Sequence, residues 1–186
     1  MVGGMSEVSE RYARVADGFD ARVLAVPDDG WELPTPCTEW TVAELVGHVV
    51  SVHRTIAAGR DATALPPPAT DPNLLEAWRA ATADVRAALS DPDRANAPVS
   101  GRFAPMPLEE LIGRLLCIDT VVHTWDLARA TGQREVLDPP AVTMAFEGIL
   151  PADEMIRGAG GYGPKLEPPP NADEQTRFLY FLGRRA

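Results

Sequence analysis

Hydrophobic positions recur along the chain at the three- and four-residue steps that are typical of amphipathic α-helices. The pattern over residues 6–26 predicts a first helix, and the Pro and Gly of residues 27–30 end it. The run Thr41-Val42-Ala43-Glu44 has the spacing of a capping box, so a second helix is predicted from there to about residue 59. A third apolar stripe predicts a helix over residues 71–89.

The longest pattern begins at Pro107 and ends at Gly132, residues that favour the first turn and the end of a helix respectively. A fifth helix is expected from about residue 141, ended or kinked by Pro151, and a short one over residues 172–182. Residues 91–107 are irregular and could hold a short extended piece or hairpin. The expected fold is therefore all-α, an up-and-down four-helix bundle with extra short C-terminal helices, forming a single domain over residues 1–186.

Composition narrows the classes of function. The 186 residues are 45% hydrophobic and 24% charged, and the net charge is −10. So acidic a chain is not expected to bind nucleic acid or an anionic membrane. No apolar run reaches the roughly 20 residues that cross a bilayer, and no signal peptide is evident. With two cysteines and no secretion signal, we expect a cytoplasmic protein without a disulfide framework.

Polar residues interrupt the inner face of the helix predicted over residues 107–132. Asp119, His123 and Asp126 stand at positions i, i+4 and i+7, and Ile112 and Leu116 continue the same face as apolar residues. Burying unpaired polar groups costs several kcal/mol, so this line of side chains needs a partner. A bound metal ion would satisfy it.

A complete metal site would need a ligand from a second helix. On the helix that follows the capping box, His48 lies among the inward apolar positions. Together with Asp119 and His123, it gives three protein ligands and leaves a position open for water or substrate, as in catalytic metal sites. The donor set favours Zn²⁺ but also suits Ni²⁺, Fe²⁺ or Mn²⁺.

Simpler readings of the same residues remain open at this point. His48, Asp119 and His123 would also be compatible with a buried hydrogen-bonded network that holds no metal. Asp126 could be a metal ligand, an ion-pair partner of a buried Arg, or a carboxylate that orients His123, and we favour the last role.

The other candidate residues are assigned to packing or to the surface. His53 lies five residues after His48 and is expected to be solvated or near the rim. Cys37 could be a reactive thiol, but no basic neighbour is visible in the sequence and packing is favoured. Cys117 is turned away from Asp119 and is expected to pack elsewhere. The four tryptophans are also expected to pack, namely Trp31, Trp40, Trp78 and Trp125.

Three stretches of sequence are more specific than the spacing of single residues. They are PTPCTEWTV at residues 34–42, which precedes His48, VHTWDLARATGQ at residues 122–133, and FLGR at residues 181–184. Together they resemble the metal-binding domain of mycothiol-dependent maleylpyruvate isomerase and its actinobacterial single-domain relatives, within the DinB-like superfamily. The resemblance covers nearly the whole chain.

That resemblance implies a bundle with a divalent metal, usually zinc, held by one His of the second helix and an acidic-x-x-x-His pair of a later helix. Carried over to this sequence, those ligands are His48, Asp119 and His123. The isomerase has Glu where this chain has the shorter Asp119. It also has a C-terminal domain to which the resemblance does not extend, so isomerase activity is not expected.

The function expected from these observations is metal-dependent transfer of a small thiol, of the mycothiol type, to a small electrophile. The partners would then be the thiol and the electrophile. The alternative is a non-catalytic metal-containing bundle that binds a small ligand or a partner. Such a bundle could form a homodimer through its exposed helix faces.

Overall fold

The computed structural model describes residues 6–60, 66–99, 105–158 and 162–186. Its first half contains helices α1 (Glu7–Leu24), α2 (Val42–Ala57), α3 (Leu74–Ser90) and α4 (Pro92–Ala95), and strands β1 (Pro98–Val99) and β2 (Met106–Pro107). Its second half contains α5 (Leu108–Leu111), a π-helical turn (Ile112–Leu116), α6 (Cys117–Ala130), α7 (Pro139–Ile149), a 3₁₀ turn (Leu150–Ala152), α8 (Asp153–Gly158) and α9 (Glu174–Phe181).

Four helices form a closed ring. The helix α1 packs against α3 and α6, and α2 packs against the same two neighbours. This arrangement confirms the predicted all-α bundle. Its core consists of apolar side chains that are excluded from solvent, including Tyr12, Phe19, Leu45, Ile56, Trp78 and Leu116.

A second layer covers the opposite side of α6. The helix α7 packs against both α6 and α9, and their apolar side chains form a separate core with those of α6. This core includes Trp125 from α6, and Phe178, Leu179 and Leu182 from the end of the chain. Because α6 lies between two cores, most of its surface is buried.

Helix boundaries follow the capping residues. The predicted capping box is present: the Thr41 hydroxyl accepts from the backbone N–H of Glu44, while the Glu44 carboxylate accepts from the N–H of Thr41. The third helix begins later than the pattern predicts because the Asn73 side chain caps it. As predicted, the helix before Pro151 ends, at Ile149.

The segment between α1 and α2 is held in a fixed shape. Pro34 and Thr41 form an isolated antiparallel bridge, and the Trp31 carbonyl accepts from the N–H of Ala43. Trp31, Cys37 and Trp40 pack against the bundle core. The segment therefore places two side chains, Cys37 and Trp40, at positions defined by backbone hydrogen bonds.

The irregular region before α5 contains the hairpin that the sequence allowed. Pro98 pairs with Pro107 and Val99 with Met106 in antiparallel register. The connecting residues 100–104 lie outside the described part of the chain. Across the described ranges, no helix has both the length and the apolar composition needed to cross a bilayer.

Candidate metal centre

Two neighbouring helices bring the predicted ligands together. His48 projects from α2, and Asp119 and His123 project from consecutive turns of α6. The Nε2 atoms of His48 and His123 lie 3.7 Å and 3.5 Å from the same oxygen, Oδ1 of Asp119. One donor atom from each of the three residues lies within 4.8 Å of the other two. The sequence thus identified a cluster that exists in the folded chain.

The spacing of these atoms fits a divalent metal better than it fits hydrogen bonds. Bonds of about 2.0–2.1 Å in a tetrahedral site place two ligand atoms about 3.4 Å apart. A direct hydrogen bond between an imidazole and a carboxylate would draw the two atoms to about 2.8 Å. Asp119 Oδ2 is also buried without a hydrogen-bond partner among the described residues. The donor set therefore fits a bound divalent cation.

An aromatic side chain covers one side of the cluster. The Trp40 ring lies over the His48 ring, with 4.4 Å between centroids and 30° between planes. His48 is 2% exposed and His123 is 7% exposed. Water therefore has little access to these imidazoles, and electrostatic interactions between the three residues are weakly screened.

Behind the cluster, Asp126 is fully buried and contacts the other nitrogen of His123. The distance from His123 Nδ1 to Asp126 Oδ2 is 3.1 Å. Arg184 donates to both oxygens of this carboxylate, from Nε at 2.7 Å and from Nη2 at 2.8 Å. Asp126 thus orients His123 and also pairs with a buried Arg, two of the three roles that the sequence left open.

The hydrogen bond to Asp126 determines which nitrogen of His123 is free. An ionised carboxylate can only accept, so Nδ1 of His123 must carry the proton. The lone pair of Nε2 is then available on the side that faces Asp119 and His48. This carboxylate–imidazole arrangement is the one that usually supports a metal-bound His.

A second cluster shares His123 but differs in charge. Cys37 Sγ lies 3.4 Å from Asp126 Oδ2 and 3.9 Å from His123 Nδ1, so these residues are also close enough together to hold a metal ion. Arg184 Nη2 lies 3.5 Å from the same sulfur. The Arg184 guanidinium already neutralises Asp126. A metal ion bound at this second cluster would therefore be repelled by the positive charge of Arg184. Of the two clusters, His48, Asp119 and His123 are therefore the better candidate for a metal site.

Ionisation of the clustered residues reflects mutual stabilisation of opposite charges. Burial disfavours the charged forms of both residues, but the Asp119 carboxylate raises the pKa of His123 well above its usual value. In turn, His123 and His48 outweigh the effect of burial and lower the pKa of Asp119. Arg184 and His123 likewise overcome the burial of Asp126 and lower its pKa to about 2. The proton on His123 and a metal ion would compete for Nε2.

Comparison with known proteins gives the family. Residues 12–128 match the family described as the mycothiol maleylpyruvate isomerase N-terminal domain, and this match covers more than half of the sequence. The chain belongs to this family. Its fold is the DinB-like all-α bundle that the resemblance implied.

Two relatives in Mycobacterium tuberculosis extend over nearly the whole chain. Uncharacterized protein MT0763 of strain CDC 1551 / Oshkosh and uncharacterized protein Rv0738 of strain ATCC 25618 / H37Rv are each 33% identical to it over 184 residues. Each alignment covers 93% of this chain and 95% of the relative. No solved structure gives a significant match.

All three proposed ligands lie within the residues that match the family, and so do Cys37 and Asp126. Arg184 lies beyond the matched residues. Its position in the FLGR run was visible in the sequence, but its contact with Asp126 joins residues 58 positions apart. Helical periodicity contains no information about such a contact.

The prediction for His53 needs correction, whereas Cys37 packs against the bundle core as predicted. His53 is fully buried rather than solvated: its ring packs against Trp78 at 4.7 Å, and its Nδ1 lies 2.8 Å from the Val49 carbonyl oxygen. The helix α3 covers the face of α2 on which His53 lies. Cys37 has a basic neighbour after all, Arg184, which the sequence places at the other end of the chain. By contrast, Cys117 is buried in the bundle core, away from the candidate site, as expected.

A surface groove of about 310 Å³ lies elsewhere, between α1 and α3. Its charged side chains are paired with one another, Arg79 with Asp20 and Arg86 with Asp17. None of the proposed ligands lines it. The groove therefore adds nothing to the candidate metal centre.

Proposed function

We propose that the chain is a metal-dependent thiol transferase, and that His48, Asp119 and His123 hold its divalent metal. The observation that carries the proposal is the arrangement of two imidazole nitrogens around one oxygen of Asp119, at 3.5 and 3.7 Å. These distances suit ligands that share an ion, and the two helices hold them in a nearly dry environment. The family description supports the mycothiol type of thiol as substrate.

When bound, a divalent metal would lower the pKa of a coordinated thiol and so favour the thiolate at neutral pH. Three protein ligands leave a coordination position for that sulfur. In the net reaction, the S–H bond breaks and a C–S bond forms to an electrophilic carbon. The thiol proton passes to solvent or to the atom that receives the electron pair of the electrophile.

The residues around the ligands would have distinct tasks. Asp126 keeps the proton on Nδ1 of His123, which leaves Nε2 free to bind. Trp40 shields His48 from solvent. Zinc is the first choice of metal because imidazole and carboxylate suit it and it needs no redox partner, while Ni²⁺ and Fe²⁺ are the alternatives.

Metal content is the first test. Protein purified without chelators should contain about one divalent ion per chain, measured by mass spectrometry of the elements. The variants His48→Ala, Asp119→Ala and His123→Ala should lose it. The matched control is His53→Phe, which replaces a buried His of the same helix outside the cluster and should keep the ion. A wild-type protein without metal would refute the proposal and favour a buried hydrogen-bonded network.

Turnover is the second test. Calorimetric titration of the metal-loaded protein with mycothiol should show binding, and a conjugation assay with a small electrophile should show loss of free thiol. His123→Ala should abolish both. Binding without turnover would instead indicate a non-catalytic protein that holds a metal and a small ligand.

A further inference from the structure

The end of the chain is attached to the back of the candidate metal centre. We define the C-terminal segment as residues 178–184. Phe178, Leu179 and Leu182 anchor it in the second core. Gly183 then turns the backbone with φ of 80°, and a Cβ there would lie 2.8 Å from the Pro164 carbonyl oxygen. This turn directs Arg184 toward α6.

Arg184 makes the contacts that a buried carboxylate requires. Its side chain is 9% exposed, and it donates to both oxygens of Asp126, which is fully buried. A two-point guanidinium–carboxylate pair fixes orientation as well as charge. The same carboxylate then holds Nδ1 of His123 at 3.1 Å. Arg184, Asp126 and His123 form one continuous series of contacts from the C-terminal segment to the metal ligands.

We propose that Arg184 is a positioning residue that couples docking of the C-terminal segment to the affinity of the metal site. This inference rests on the proposed function only in that it requires a metal at His48, Asp119 and His123. Arg184 does not touch those ligands' donor atoms. It acts by fixing Asp126, which in turn fixes the ring of His123.

Removing the guanidinium would leave Asp126 held only by His123 and Cys37. A buried carboxylate without its main donors is strongly disfavoured, so Asp126 would turn away or admit water. The ring of His123 would then lose the partner that sets its orientation. Loss of such outer partners typically weakens metal binding about 10- to 100-fold. Because Arg184 is one contact further from the metal, we expect the lower end of that range.

Coupling must act in both directions. If docking of the C-terminal segment increases metal affinity, then metal binding must stabilise the docked segment by the same factor. Amide hydrogen exchange in residues 178–184 should therefore slow when metal is added. Since the apolar anchors of the segment are unchanged in an Arg184 variant, this response can be lost while the segment remains docked.

A control separates this role from general attachment of the segment. Arg157 also holds the segment: its Nη2 donates to the Phe181 carbonyl oxygen at 2.6 Å, and it does not contact Asp126. Arg157→Gln should therefore remove one contact of the segment, while the apolar anchors keep the segment docked and Arg184 stays paired with Asp126. It should lower the melting temperature and leave metal affinity unchanged.

The experiment measures the Zn²⁺ dissociation constant by competition with a chromogenic chelator for wild type, Arg184→Gln, Arg184→Lys and Arg157→Gln. We expect binding about tenfold weaker in Arg184→Gln and a smaller loss in Arg184→Lys, which retains the charge but not the two-point geometry. Hydrogen exchange with and without Zn²⁺ should show metal-dependent slowing in wild type and in Arg157→Gln but not in Arg184→Gln.

Equal Zn²⁺ affinity in wild type and Arg184→Gln would overturn the coupling while leaving the proposed metal site intact. Equal losses in Arg184→Gln and Arg157→Gln would reduce Arg184 to an ordinary anchor and would also overturn it. A wild-type protein that binds neither Zn²⁺ nor the alternatives Ni²⁺ and Fe²⁺ would refute both this inference and the metal site.

Discussion

His123 is the residue at which the two polar clusters meet. Its Nε2 faces Asp119 and its Nδ1 contacts Asp126, so a single imidazole separates the proposed metal from Arg184. Spacing along one helix predicted the carboxylate at i−4 and the one at i+3, because both lie on the same helical face. It could not predict Arg184 or Cys37, which reach His123 and Asp126 only through the tertiary fold.

The assignment of Cys37 can be tested with cobalt. If the metal lies between His48, Asp119 and His123, no thiolate coordinates it, and the Co²⁺-loaded protein should lack a sulfur-to-cobalt charge-transfer band in the near ultraviolet. Cys37→Ser should bind Co²⁺ with an unchanged visible spectrum. A charge-transfer band in wild type that disappears in Cys37→Ser would move the metal to the second cluster.

Trp40 provides an optical report of metal binding. Its ring lies 4.4 Å from that of His48, so a coloured paramagnetic ion such as Co²⁺ at the site should quench its fluorescence. We expect titration with Co²⁺ to lower the emission of wild type and to change that of Trp40→Phe much less. Trp31→Phe, which alters the other half-buried tryptophan of the same segment, should keep the response. Equal quenching in both variants would place the ion away from His48.

At the scale of elements, the sequence predicted the longer helices to within a few residues. It did not predict the short helices α4 and α8 or the π-helical turn over Ile112–Leu116. Such a turn adds a residue locally, and an apolar pattern looks similar with or without it. The helix start that could be predicted best was that of α2, because a capping box has a chemical signature rather than a periodic one. The shape of the loop before it could not be predicted, since it depends on hydrogen bonds of Thr35 to the Trp40 carbonyl and of Ala43, in α2, to the Trp31 carbonyl.

The N-terminal cap of α2 should contribute measurably to the free energy of unfolding. In Thr41→Ala, the backbone N–H of Glu44 loses its acceptor, and we expect the free energy of unfolding to fall by about 1 kcal/mol. Urea denaturation measures this, and its m-value should stay constant. Thr38→Ala changes an exposed threonine of the same loop and should have no such effect. Equal stability of the two variants would mean that the capping box contributes nothing measurable.

At the scale of the molecule, the buried His53 connects three helices, with Tyr12 of α1 on one side and Trp78 of α3 on the other. Periodicity placed it near the rim because α3 was not assigned to that side of α2. The sequence could establish that four amphipathic helices must bury their apolar faces against one another. It could not establish which helices are neighbours, and the surroundings of His53 depend on that arrangement.

Stability should therefore depend on pH through His53. Burial lowers its pKa from 6.5 to about 4, so between these values the unfolded chain binds a proton that the folded chain does not. Stability should fall as the pH falls from 6.5 to 4, by up to about 3 kcal/mol, and this contribution should change little below pH 4. Urea denaturation in the presence of a chelator measures it. His53→Phe should lack this component, and parallel curves for the two proteins would contradict the assignment.

The position of α6 between two cores has a consequence for how the chain tolerates change. A helix at the edge of a bundle, such as α1, alternates buried and exposed positions, so substitutions should be tolerated with a helical period. From Cys117 to Ala128, α6 offers almost no solvent-facing position. Saturation mutagenesis should therefore find that substitutions are poorly tolerated at every position of this stretch. The mutational profile would identify the helix that carries Asp119 and His123, but it would not distinguish these two residues from their apolar neighbours.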